Sequence, residues 1–300
     1  MNVIEFENVV KNVKKVPVLH GISFRLQTDS ITGIIGPMDS GKSTALKLIS
    51  GLEQPDSGRI RFYDDTTGLD VERPSMGLLI NSPGTYPTLS VRDHFEIKAR
   101  ILGLKSENID FLFDMFRIRN IQNLRMGNLT QQLRNTAGIA LALMGDPQLV
   151  LLDEPFSGFR YQDIAFIQNA LKQYRQEYHC TMIIASRSTE EIADFADAFV
   201  FLQEGSVVKA DTKEDIITSL PGYIKLVADP LQDAKAVLDA HEIYSYQTKS
   251  DHVVHIFEKI DQAEEIRKMI EDAGVHVSEC KVVQDAMEDY FGFGRKGGLR

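Results

Sequence analysis

The feature that most constrains this chain is Gly36-Pro-Met-Asp-Ser-Gly41-Lys42-Ser43-Thr44, which fits G-x-x-x-x-G-K-[ST] and follows the apolar run Ile31–Ile35. A chain obeying it must deliver a buried strand into a tight turn and leave that turn as a helix. The glycines let the backbone curl so that its N–H groups face phosphate. The positive end of the following helix, Thr44 to Ile49, favours the same anion. Composition alone produces such a pattern in about one chain of this length per hundred. In this reading Gly36, Pro37, Met38, Asp39, Ser40, Gly41, Lys42, Ser43 and Thr44 bind ATP. Lys42 reaches the β- and γ-phosphates and Ser43 ligates Mg²⁺.

A second chemical site is Leu149-Val-Leu-Leu-Asp153-Glu154-Pro155. An apolar strand ending in two carboxylates places Asp153 at the strand's C-terminal edge, where α/β proteins bind ligands. Alone, the pattern reads equally well as a helix cap. Lying 111 residues (153 − 42) after the P-loop lysine, it reads as the second half of a nucleotide site. Asp153 is expected to hold the magnesium, through water or Ser43, and Glu154 to polarise the attacking water.

The elements around these sites set the fold class. Strands are expected at Val3–Val10, Val18–Leu26, Ile31–Ile35, Leu149–Leu152, Thr181–Ala185 and Ala198–Leu202, with helices at Asp163–Tyr178 and Thr189–Ala196. Strands alternating with helices predict an α/β core with a mostly parallel sheet. Residues of about 81–145 read as a helical insert, with helices at Val91–Leu102, Glu107–Phe116 and Thr130–Met144. Phe111, Phe113 and Phe116 read as insert core. Around Pro221 the pattern changes, which divides the chain into residues 1–220 and a small α+β appendage at 221–300. The appendage reads strand (Tyr223–Val227), helix (Leu231–Ala240), strand (Ile243–Thr248), strand (His252–Phe257), helix (Gln262–Ala273), strand (Val275–Val283), a ferredoxin-like order.

Composition excludes several function classes. No run approaches the roughly 18–20 apolar residues of a membrane-spanning helix. The start, MNVIEFENVV, lacks the basic-then-apolar pattern of a signal peptide. The net charge of −10, with scattered Lys and Arg, speaks against a nucleic-acid partner. Cys180 and Cys280 match no metal spacing and read as reduced thiols. His252 and His255 have odd strand spacing and so point to opposite faces.

With these residues in view, the chain resembles the nucleotide-binding subunits of ABC transporters over nearly its whole length. The resemblance is carried by both sites above, by Ser50-Gly-Leu-Glu-Gln-Pro-Asp-Ser-Gly58, by Ala140-Leu-Ala-Leu-Met-Gly-Asp-Pro147 and by Asp153-Glu-Pro-Phe-Ser-Gly158. Leu79-Ile-Asn-Ser-Pro-Gly-Thr-Tyr-Pro-Thr-Leu-Ser90 and the tail Met287-Glu-Asp-Tyr-Phe291 look like the bacitracin- and lantibiotic-type exporters. The resemblance implies a P-loop NTPase core. It also implies two ATPase subunits, homo- or heteromeric, clamping two ATP beneath a separate membrane permease onto which the insert docks. The location implied is cytoplasmic, on the inner face of the membrane. A soluble ABC ATPase of DNA repair or translation would show tandem cassettes or coiled-coil insertions, and this chain shows neither.

The chain departs from the family at working positions. Val13 stands where an aromatic stacks on adenine, and Asp39 where the P-loop has Gly. Asn81 replaces a Gln or Glu near the metal. The signature LSGGQ aligns with Leu129-Thr-Gln-Gln-Leu133, in which Thr130 keeps a hydroxyl while Gln131 and Gln132 replace glycines. Arg160 stands where an Asp couples the two sites, and Arg187 replaces the switch histidine. An arginine shuttles no proton near neutral pH but can hold the γ-phosphate. Together the departures imply a weakened ATPase or one that depends on a partner.

Overall fold

The computed structural model describes residues 2–64, 66–80, 85–219 and 222–284. In chain order its strands and helices begin with β1 (Asn2–Val13), β2 (Val16–Gln27), β3 (Ile31–Ile35), α1 (Lys42–Ser50), β4 (Ser57–Asp64), β5 (Met76–Leu79), α2 (Val91–Leu102), α3 (Ser106–Met115) and α4 (Gln131–Leu143). They continue with β6 (Leu149–Asp153), α5 (Tyr161–Tyr178), β7 (Thr181–Ser186), β8 (Ala198–Gln203), β9 (Ser206–Thr212) and α6 (Lys213–Ser219). The remainder is β10 (Gly222–Asp229), α7 (Leu231–Ala240), β11 (Tyr246–Ser250), β12 (Val253–Ile256), α8 (Ala263–Asp272) and β13 (His276–Gln284).

The residues up to Lys213 hold two sheets. β2, β1 and β4 form an antiparallel sheet in that order. Its first hairpin turns at Lys14 and Lys15, whose φ of 50° and 67° give the primed turn that matches strand twist. The second sheet runs β5-β6-β7-β3-β8-β9. Its first five strands are parallel and β9 lies antiparallel against β8. β3 and β7 are buried along their whole length, which is why they read as continuous apolar runs rather than alternations. Ile34, Leu46, Ile49, Leu151, Ile183 and Val200 share one core with Phe6 and Phe24 of the antiparallel sheet, whose rings stack at 4.3 Å.

The second compact unit begins at Glu214, earlier than the change of pattern around Pro221, which itself lies outside the described residues. Its strands are all antiparallel in the order β11-β12-β10-β13, with α7 and α8 packed over Ile224, Leu226, Val254 and Ile256. The chain order is strand–helix–strand–strand–helix–strand, the split βαβ arrangement.

Several sequence expectations need correction. Thr189–Ala196 is a chain of turns, not a helix. Its bonds alternate between three- and four-residue spacings, and two of its carbonyls, Glu191 and Asp194, accept from Gln168 and Lys172 of α5. Phe113 and Phe116 are core, but Phe111 is 37% exposed and meets the edge of Tyr178. β4, β5 and β9 carry weaker apolar patterns with few or no buried residues, and the sequence reading has no strand there. The strand expected from Ile243 starts at Tyr246, because Ile243 enters the core from a loop. His252 lies in a turn, 3.5 Å from Asp229, and His255 stacks on Tyr223 at 4.0 Å. Both cysteines are free and buried, and burial pushes each thiol up to about 11. No helix among the described residues is long and apolar enough to cross a membrane.

Candidate functional site

Strand order builds the site. β3 lies between β7 and β8, and β6 lies beyond β7. The parallel strands therefore present the P-loop after Ile35, the carboxylates after Leu152 and the segment after Ser186 along one C-terminal edge. Direct bonds tie the three together: Gly36 N–H donates to the Ser186 carbonyl at 3.3 Å, and Glu154 N–H to the Ala185 carbonyl at 2.9 Å.

The P-loop needs its glycines for space and for handedness. A Cβ on Gly36 would lie 2.2 Å from the Leu202 carbonyl oxygen and 2.5 Å from Ser40 Oγ. Gly41, with φ of 100°, caps α1 without any side-chain hydrogen bond, which leaves the first-turn N–H groups aimed at the pocket. That pocket, of about 220 Å³, is lined by Val13, Val18, Asp39, Ser40, Gly41, Lys42, Ser43 and Thr44. The structure thus brings Val13, from the tip of the first hairpin, to the P-loop. Met38 is 68% exposed, and Asp39 takes a φ of 61° that a glycine would adopt more freely.

Lys42 is buried. Its ammonium donates to the carbonyls of Gly36 at 2.8 Å and Pro37 at 2.7 Å, and sits 4.0 Å from Glu154 Oε1. Burial pulls its pKa down, while Glu154 and Asp153 oppose that shift. Glu154 takes a left-handed φ of 47°, and the same Oε1 lies 3.3 Å from Arg187 Nε. One carboxylate oxygen therefore stands between two cations. Burial nevertheless holds the Glu154 pKa above the ordinary glutamate value, with Arg187 and Lys42 opposing. Asp153 ends β6, half-buried and in register with Ala185. Asn81 lies outside the described residues, as does the tail Met287 to Phe291.

The signature segment is organised from the other side. Thr130 caps α4 by accepting from Leu133 N–H at 3.3 Å. Gln131 donates to Asn135 Oδ1 at 3.0 Å, and the Asn135 amide donates to the carbonyls of Pro155 at 3.3 Å and Ser157 at 3.0 Å. Gln131 also crowds Gly158, where a Cβ would meet its Cγ at 3.1 Å. Arg160 points outward, its side chain 84% exposed and 3.1 Å from Asp163. None of these residues lines the P-loop pocket.

Two supporting residues escaped the sequence reading. Asn135 is 4% exposed and ties the signature helix to the turn after Glu154. Ser186, fully buried, donates to Glu191 at 2.5 Å and accepts from Ser188 N–H, which shapes the segment carrying Arg187. Asn135 lies in a polar stretch and Ser186 at the end of an apolar run, so neither carried a local signal of its role. Asn135→Leu is expected to cost about 1–3 kcal/mol, because a buried and a part-buried carbonyl lose their donor; a lowered thermal midpoint checks it.

A family profile described as ABC transporter matches residues 19–157. The bacitracin transport ATP-binding protein BcrA of Bacillus licheniformis is 23% identical over 274 residues, covering 90% of each chain. The spermidine/putrescine import ATP-binding protein PotA of Mycoplasma capricolum is 29% identical over 221 residues, covering 72% of this chain and 63% of its own. Among solved structures, MJ1267, an ATP-binding cassette of an ABC transporter, superposes with a TM-score of 0.62 at 20% identity, covering 72% of this chain and 94% of its own. The profile match, the relatives and the P-loop edge agree: residues 19–157 match the ABC transporter family, and the chain is similar to its ATP-binding subunits.

Proposed function

We propose that the chain binds Mg-ATP at the P-loop and hydrolyses it to drive export of a peptide or drug-like substrate through a separate membrane permease. The observation that carries this reading is the convergence of Lys42, Glu154 and Arg187 around one carboxylate oxygen, beside Asp153 at the sheet edge. Lys42 grips phosphate, Arg187 adds a second cation for the γ-phosphate, and Glu154 orients and polarises the attacking water. Ser43, in the first turn of α1, and Asp153, at the end of β6, offer the hard oxygen donors that magnesium prefers. When bound, the metal neutralises phosphate charge; Ser43, Asp153 and Asn81 are the residues that would hold it.

The export direction draws its support from the relatives named for bacitracin transport; relatives named for import match as well. The working assembly is two ATPase subunits on the inner face of the membrane. Gln131 and Gln132 obstruct close approach of a partner's nucleotide, which favours a different subunit supplying an intact signature to this chain's Lys42 and Glu154. A second reading, a nucleotide-binding subunit without turnover that regulates a heteromeric transporter, is favoured by the Arg187–Glu154 ion pair.

Steady-state ATP hydrolysis by the purified chain, alone and with its partner subunits, with Mg-ATP binding measured alongside, separates the two. Turnover that needs Glu154 supports the first; tight binding without turnover in any assembly supports the second. The base pocket gives an independent check. Val13→Phe is expected to tighten ATP binding about two- to ten-fold, the 0.5–1.5 kcal/mol that ring stacking contributes, as read by calorimetry.

A further inference from the structure

A second cavity, of about 470 Å³, opens at the other end of the parallel strands. Leu149 and Thr181, the first residues of β6 and β7, line it. The P-loop leaves the opposite end of the same sheet, after Ile35, so the length of the strands, about 13–16 Å, separates the two sites. The floor of the cavity is apolar and buried: Ile4 and Phe62, cross-strand partners on β1 and β4, lie there with Leu149. Its volume is about three times that of an apolar cavity that takes one benzene, and it falls in the range of small-molecule sites.

The rim carries charges of both signs. Arg73 lies over Phe62, its guanidinium carbon 5.6 Å from the ring centroid, and against Gly51, where an added Cβ would run into it. A ring and the end of α1 therefore place this cation. Among the described residues no carboxylate pairs with Arg73, and no cation pairs with Glu72 beside it on the rim. Asp29 adds a second carboxylate, 3.9 Å from Arg175 Nη2.

Neutral donors complete the set. Gln148 Oε1 accepts from Ser75 N–H at 3.3 Å, which leaves its amide hydrogens to donate. Buried Thr181 Oγ1 accepts from Asp29 N–H at 2.8 Å, which leaves its hydroxyl hydrogen.

This balance of charge selects the ligand. A carboxylate entering alone meets Arg73 but also Glu72 and Asp29. An amine entering alone meets those two carboxylates but also Arg73. A molecule that carries both groups on an apolar body gives each rim charge an opposite partner, and its body covers the floor.

We propose that this cavity binds a free hydrophobic amino acid, with its carboxylate on Arg73 and Gln148, its ammonium on Glu72 and Asp29, and its side chain on Ile4, Phe62 and Leu149. The proposal stands apart from the nucleotide reading, because none of these residues lines the P-loop pocket.

Calorimetry on the full chain tests it with three probes: tryptophan, tryptamine, which lacks the carboxylate, and indole-3-propionate, which lacks the amine. Tryptophan is expected to bind about ten-fold tighter than either, the gain of one charge-assisted hydrogen bond. Arg73→Met should lower its affinity to that of tryptamine, and Glu72→Gln to that of indole-3-propionate. Both positions are exposed, and an unchanged thermal midpoint checks that each variant folds. Saturating Mg-ATP should leave tryptophan bound. No binding of tryptophan overturns the proposal. So do equal affinities for the three probes, which burial of the ring alone would give, and an affinity that neither substitution changes. Loss of tryptophan binding in Mg-ATP would place it in the nucleotide pocket and overturns the proposal as well.

Discussion

Lys42→Ala is expected to weaken Mg-ATP binding about 100-fold, the largest single loss of affinity available at this site. The Lys42 ammonium is the buried cation at the centre of the P-loop, already donating to the carbonyls of Gly36 and Pro37. Phosphate oxygens offer it charge-assisted hydrogen bonds, which are worth about 1.5–3 kcal/mol each. One of them near the upper end of that range, about 2.7 kcal/mol, accounts for the hundred-fold. The substitution also leaves those carbonyls without their donor, so part of the loss reaches the empty protein. Lys42→Met keeps most of the volume and separates the two effects: its thermal midpoint should lie above that of Lys42→Ala while its affinity stays equally low. Affinity unchanged in both variants would mean that phosphate is held elsewhere.

Glu154→Gln is expected to lower turnover by a factor of about 10²–10⁴, the usual contribution of a positioned general base, while Mg-ATP binding is kept. Glutamine fills the same space but accepts no proton, and it leaves Lys42 and Arg187 without the carboxylate that now lies 4.0 Å and 3.3 Å from them. Burial raises the Glu154 pKa above the ordinary value of 4.5. The base works only when ionised, so the acid limb of the rate profile should lie above the ordinary glutamate range and vanish with Glu154→Gln. For folding the sign is opposite. A carboxyl whose pKa is raised in the folded state stabilises below its unfolded pKa, and that contribution is lost as pH rises through the folded one. A pH profile of turnover, with thermal midpoints over the same range, reads both.

The sequence by itself determined what lies close along the chain. Ile31–Ile35 had to be a buried strand, Gly36 to Gly41 a tight turn and Lys42 onward a helix, because apolar content, glycine freedom and capping act within a few residues. Leu149–Asp153 was legible for the same reason. The departures at Val13, Asp39, Gln131, Arg160 and Arg187 were also visible as letters. What those letters touch was not. Only the strand order β6-β7-β3 places Arg187 on Glu154 and Glu154 beside Lys42. Only the packing of α4 makes Asn135 a tie to Pro155 and Ser157. Only the meeting of α2 and α4 sets the Lys98 stem against an apolar groove, with no carboxylate partner among the described residues. Thr189–Ala196 had the composition of a helix, yet two of its carbonyls were taken by donors from α5, a competition no local pattern records. Periodicity and turn chemistry are short-range forces written in the sequence, whereas pairing of charges and burial of amides depend on distances that exist only once the sheet has closed.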